Sequence, residues 1–147
     1  MPELNYNQIK NILPQAYPFV FIDSVEDYKE GESLTAVKNI TANEWPFDGK
    51  TAPEQAFPET LLIEAAAQAA LLLYHVSKVK NRRVHPKYFI GKCQAEFLKP
   101  VAYGQSIRLN VRSGKLLDTG GWADVVVSAE AQEKAKITIF FSVRGLA

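Results

Sequence analysis

The stretch Phe57–Val79, FPETLLIEAAAQAALLLYHVSKV, constrains this chain more than any other. Nearly every position from Leu61 to Val76 is apolar; the exceptions are Glu64, Gln68, Tyr74, His75 and the small alanines. A helix that is apolar on all sides has no solvent face, so the rest of the chain must cover it. Pro58 and Glu59 suit its start: proline lacks an amide hydrogen, and a carboxylate favours the positive end of the helix dipole. The alanines at positions 65, 66, 67, 69 and 70 allow another backbone to approach closely.

Glu64 and Gln68 are four apart and share one face. His75 falls near the same azimuth but roughly 16 Å further along the axis. A carboxylate in an apolar helix is costly unless it is paired. The pattern leaves two readings open. One is a catalytic acid with a tuned pKa. The other is a structural Glu–Gln pair, or a glutamate at a subunit edge.

With 147 residues, one domain spanning 1–147 is expected, long enough to bury a core. A hydrophobic content of 47% excludes a disordered chain. A net charge of +1 gives no strong field toward nucleic acid or anionic lipid, so neither is an expected partner. The single cysteine, Cys93, excludes an intrachain disulfide framework and a cysteine-based zinc site of its own. In a predicted strand with no evident base, it reads as an inert core thiol. No metal or cofactor is expected. MPELNYNQIK carries no apolar signal region, and the central run holds Glu, Gln and His, a poor membrane span. A cytoplasmic location is the expectation.

In chain order, Asn5–Leu13 reads as a short helix ended by Pro14, packed outside the main body. Phe19–Tyr28 and Ser33–Ile40 read as an antiparallel pair about Gly31. Residues 41–57 hold Pro46, Gly49 and Pro53 and no periodicity, a long loop of the kind that is usually functional. It leads into the start of the central helix, where free backbone amides can hold a developing oxyanion. Four further strands follow: Tyr88–Leu98, Ser106–Leu116, Trp122–Ala131 and Lys136–Arg144. The turns are expected at Gly104, Gly120-Gly121 and Gln132-Glu133. One buried helix and about six antiparallel strands predict an α+β chain in which a curved sheet wraps the helix.

The detailed sequence resembles the hot-dog-fold β-hydroxyacyl-(acyl carrier protein) dehydratases. Leu13-Pro14-Gln15-Ala16-Tyr17-Pro18-Phe19, with Ile22-Asp23, is similar to that family's Leu-Pro-His-Arg-Tyr-Pro-Phe and Val-Asp opening. Ala36–Thr41 with Asn43-Glu44 resembles its second strand. Leu62-Ile63-Glu64-Ala65 and Ala67-Gln68-Ala69-Ala70 resemble its helix signature. Gly91, Phe97, Lys99-Pro100-Val101 and Gly104 resemble its third strand and turn.

The departures fall in the loop. Where the family reads Gly-His-Phe-Pro-Gly, this chain reads Gly49-Lys50-Thr51-Ala52-Pro53. Lys50 therefore takes the register of the catalytic histidine, fourteen positions before Glu64. Pro53 replaces a loop glycine and cannot donate. The resemblance implies that Glu64 is the helix acid, with Gln68 beside it, and that the amide of Glu59 serves the oxyanion.

A loop lysine is protonated at neutral pH unless desolvated, so Lys50 is a poor base. His75 lies too far along the helix to replace it, and His85 precedes Pro86 in a connection. The resemblance thus implies a dehydratase subunit acting on acyl groups held by acyl carrier protein, in fatty acid or polyketide-type synthesis. The chain is expected to form a homodimer or a heterodimer with another hot-dog subunit; in the heterodimer Glu64 would be matched by a histidine-bearing partner across the interface. A thioesterase using Glu64, which needs no histidine, is the alternative, followed by a non-catalytic acyl-binding scaffold. Phe19, Phe21, Phe89 and Phe97 are candidates to line an acyl tunnel, or to form ordinary core. Arg82 and Arg83 are candidates to meet an acidic carrier, or a solvated basic loop.

Overall fold

The computed structural model describes residues 3–16, 18–41, 56–80 and 83–146. Helix α1 (Tyr6–Ile12) opens with a reciprocal cap between Asn5 and Gln8. Asn5 Oδ1 accepts the Gln8 amide at 3.0 Å, and Gln8 Oε1 accepts the Asn5 amide at 2.8 Å. Helix α1 buries Ile9 and ends at Leu13, because Pro14 cannot continue it.

Then come β1 (Ser24–Lys29), β2 (Ser33–Asn39), α2 (Glu59–Lys78), β3 (Lys87–Phe97), β4 (Ser106–Leu117), β5 (Gly120–Ala129) and β6 (Gln132–Arg144). The strands make one six-stranded sheet in the order β1-β2-β4-β5-β6-β3. Each neighbouring pair is antiparallel. This is the hot-dog arrangement: the sheet curls around α2.

Strand alternation decides which residues face the helix. Val111, Val125 and Ile137 are paired in register, as are Leu109, Val127 and Ala135, and all are buried. They meet a helix on which Ala65, Ala66, Ala69, Ala70, Leu72 and Leu73 are essentially inaccessible. By length and composition α2 could cross a membrane, but here the sheet covers it.

Three boundaries differ from the sequence reading, each for a local reason. The first strand starts at Ser24, not Phe19, because the Phe19 carbonyl and Phe21 amide bond to a side chain of α2 instead of a neighbouring strand. Gly120 and Gly121 lie inside β5 instead of forming the turn. They are needed for close approach: a Cβ on Gly120 would sit 2.4 Å from the Phe141 carbonyl, and one on Gly121 would sit 2.1 Å from that of Lys115. The β5–β6 turn falls at Glu130-Ala131, ahead of Gln132-Glu133, and both turn residues have positive φ (51° and 62°).

On the outer face, Trp122 stacks on Phe140 at 5.9 Å and lies over Gly114, where a Cβ would approach the indole ring to 2.4 Å.

Candidate active site

The site begins at the α2 N-terminus. The Phe57 amide donates to the Val101 carbonyl at 2.7 Å, and Ala56 bridges to Ala102, so the entry to the helix is fastened to the segment before β4. Pro58 is the N-cap and supplies no side-chain bond. The amides of Leu61 and Leu62 both reach the Pro58 carbonyl. Glu59 and Thr60 precede these bonds and are exposed. Their N–H groups are first-turn donors without an intrahelical acceptor, at the positive end of the dipole.

Glu64 stands on the next turns of the same helix, half-buried. The side chain of Gln68, fully buried, holds it. Gln68 Oε1 accepts the Phe21 amide at 2.8 Å, and Nε2 donates to the Phe19 carbonyl at 2.6 Å. The same nitrogen donates to Glu64 Oε1 at 3.1 Å. Gln15 Nε2 donates to that oxygen as well, at 3.2 Å. Two side-chain amide donors thus converge on one carboxylate oxygen.

The α2 spacing placed Glu64 and Gln68 together in advance. The role of Gln15 carried no such signal, because it is 49 positions from Glu64 and no local period connects them. Lys38 was likewise not singled out. It points inward from β2, only 4% exposed, with Nζ 5.6 Å from the Phe21 ring centroid and 5.7 Å from that of Phe57. Its cation sits against the aromatic floor beneath the helix start.

The four phenylalanines do not form one lining. Phe19 is 46% exposed and meets buried Phe21 edge-on at 5.8 Å; Phe21 meets Phe57 at 6.4 Å. These two lie on the Gln68 side of the helix. Phe97 is half-buried on the inner face of β3, opposite Ala135. Phe89 is a correction: it pairs with exposed Ser142 on the outer face, under the Arg144 guanidinium at 5.5 Å. The β3 alternation turns it away from the helix.

Lys50 and Arg82 lie outside the described residues. Arg83 is exposed beyond the C-terminal end of α2, far along the axis from Glu64. Cys93 is an exposed free thiol on the edge strand, not a buried one.

A separate cavity of about 520 Å³ lies between α1 and the end of α2, lined in part by Leu4, Ile12, His75, Val84 and His85. Burial, with a smaller contribution from His85, holds the His75 imidazole below its ordinary pKa. Among the described residues no group of three or more His, Cys, Asp or Glu is placed to hold a metal.

A helix whose start carries free amides, followed by a carboxylate with one oxygen fixed, can hold an oxyanion and transfer a proton. Residues 13–137 match the FabA-like domain. The chain belongs to the FabA-like family. It is 33% identical over 139 residues to the 3-hydroxyacyl-[acyl-carrier-protein] dehydratase FabZ of Clostridium botulinum strain Kyoto, covering 94% of both chains. It is 40% identical over 112 residues to the FabZ of Janthinobacterium sp., covering 76% of this chain and 72% of that one.

Solved structures share the fold. The dehydratase heterocomplex ApeI:P from Xenorhabdus doucetiae superposes with a TM-score of 0.75 over 97% of this chain and 90% of that one, at 12% identity. A mutant thioesterase from Pseudomonas aeruginosa gives 0.61 over 81% and 80%, at 14% identity. FabA-like membership thus rests on sequence over most of the chain, and the fold is shared with both dehydratases and thioesterases.

Proposed function

We propose that this FabA-like chain is a 3-hydroxyacyl-thioester dehydratase subunit, acting in the cytoplasm on acyl groups carried by acyl carrier protein and completed by a histidine-bearing partner. The carrying observation is the Glu64 carboxyl, fixed through Oε1 by Gln15 and Gln68 on a FabZ-like helix. By the family resemblance, Lys50 takes the register at which the family carries its general base.

The chemistry divides between two groups. The partner's imidazole removes the proton next to the thioester carbonyl. Glu64, protonated on its other oxygen, gives that proton to the departing 3-hydroxyl, and the products are water and an enoyl thioester. The amide of Glu59 holds the thioester oxygen as charge develops on it. No cofactor is needed for this elimination.

The edge of the sheet supports a two-chain assembly. Strand β3 pairs with β6 on one side and, among the described residues, has no neighbour on the other. Its inner-face Ile90 is 47% exposed, although its register partner Phe141 is buried. An eleven-residue edge strand with an uncovered apolar side chain is suited to pairing with another chain.

A thioesterase reading is favoured by one feature: a carboxylate with a free oxygen needs no histidine to activate water. The two readings separate in one reconstitution. The chain is assayed alone and with a histidine-bearing hot-dog partner, on a carrier-bound 3-hydroxyacyl thioester. Dehydration by the pair, reduced about 100-fold or more by Glu64→Gln, supports the dehydratase. Thiol release by the lone chain, lost in the same variant, supports the thioesterase. Binding without turnover in either arrangement supports a scaffold.

A further inference from the structure

The two oxygens of Glu64 have different surroundings. Oε1 accepts from both Gln15 and Gln68, while Oε2 has no hydrogen bond among the described residues. The orientation of Gln68 is set by the backbone. The Phe21 N–H requires an oxygen and the Phe19 carbonyl requires an N–H, so the Gln68 amide cannot be reversed. Its second N–H therefore meets Glu64 Oε1 in every protonation state.

Gln15 is not pinned in this way. Turning its Nε2 toward Glu64 leaves its own Oε1 buried with no hydrogen-bond partner among the described residues. A buried acceptor without a donor is costly, and a structure keeps one where the opposite end of the group is needed.

Resting on the dehydratase reading above, we propose that Gln15 is a positioning residue for Glu64. It commits Oε1 to accepting and directs the transferable proton to Oε2. Two N–H donors on one oxygen make that oxygen the poorer site for a proton. The proton then occupies Oε2, from which it can leave.

The test uses Gln15→Leu, which keeps the approximate size, removes the donor and also removes the orphaned acceptor. Glu64 is followed by the ¹³C NMR chemical shift of its carboxyl carbon at neutral pH, in the full chain with its partner. Dehydration by the same complex is measured in parallel. The expected result is a melting temperature no lower than the parent's and a Glu64 carboxyl carbon whose chemical shift at neutral pH differs from the parent's, because one of the two donors on Oε1 is gone. With these goes an about 10-fold lower kcat, corresponding to one lost charge-assisted bond. Gln15→His returns a donor, recovers most of the rate and adds a transition in the imidazole range near ~6.5.

A Q15L chain with an unmoved Glu64 carboxyl chemical shift overturns the proposal, whether or not its melting temperature falls. If Q15L does not fold, Gln15→Met carries the same readout. The spectrum needs no turnover. An inactive parent complex whose Glu64 carboxyl signal still moves in Q15L therefore counts against the dehydratase reading and for the role of Gln15.

Discussion

Gln68 shows how one side chain can be structural and functional at once. It closes the gap left where the chain at Phe19–Phe21 runs beside α2 without a strand partner, and it also holds Glu64. Gln68→Leu leaves two backbone groups unpaired, so it should destabilise the fold by about 2–5 kcal/mol, read from the urea midpoint. The i, i+4 pairing was legible because helical period alone brings Glu64 and Gln68 together. The Gln15 contact was not legible, because it depends on how a loop folds over the helix.

A second residue-scale prediction concerns Tyr88. Its hydroxyl is buried without a hydrogen-bond partner among the described residues, and burial, with a smaller effect of Tyr74, pushes its pKa up to about 12. The unfolded phenol ionises near ~10, so stability is complete below that pH and falls as pH rises from about 10 toward the folded value of about 12. Tyr88→Phe should flatten this loss in melting temperature between about pH 10 and 12, without lowering stability at neutral pH.

Among the elements, α2 was the most legible, because an all-apolar run with alanines admits few alternatives. Its observed span, Glu59–Lys78, falls inside the expected stretch. Leu72 is fully buried, and Leu72→Ala should cost about 2–5 kcal/mol in a denaturation experiment. The β5–β6 turn was less legible. Glu130 and Ala131 both carry positive φ without being glycine or asparagine, so composition did not mark the turn. Replacing them with Asn-Gly should stabilise the protein by about 1–2 kcal/mol, seen as a rise in melting temperature. Strand boundaries were missed where a tertiary contact decided them, as at Phe19–Asp23, and where glycine served packing instead of turning, as at Gly120-Gly121.

For the whole molecule, the order strand, strand, helix, four strands was enough to predict a wrapped helix. The sequence alone did not separate the two faces of β3, because its inner and outer residues are both largely exposed in the isolated chain. That is why Phe89 was grouped with the tunnel candidates, although it lies under Arg144 on the outside. The same exposure motivates an assembly prediction. Ile90→Lys places a charge on the uncovered inner edge and should shift sedimentation from a two-chain species toward monomer.

Division of the acid and base between two chains is most directly tested by mass spectrometry of a carrier-bound 3-hydroxyacyl group. The substrate is incubated with this chain and a histidine-bearing partner, in parental and Glu64→Gln forms. Loss of one water from the acyl group with the parental pair, strongly slowed by Glu64→Gln, is the predicted result. Equal water loss by both pairs, or by the lone chain, would contradict it.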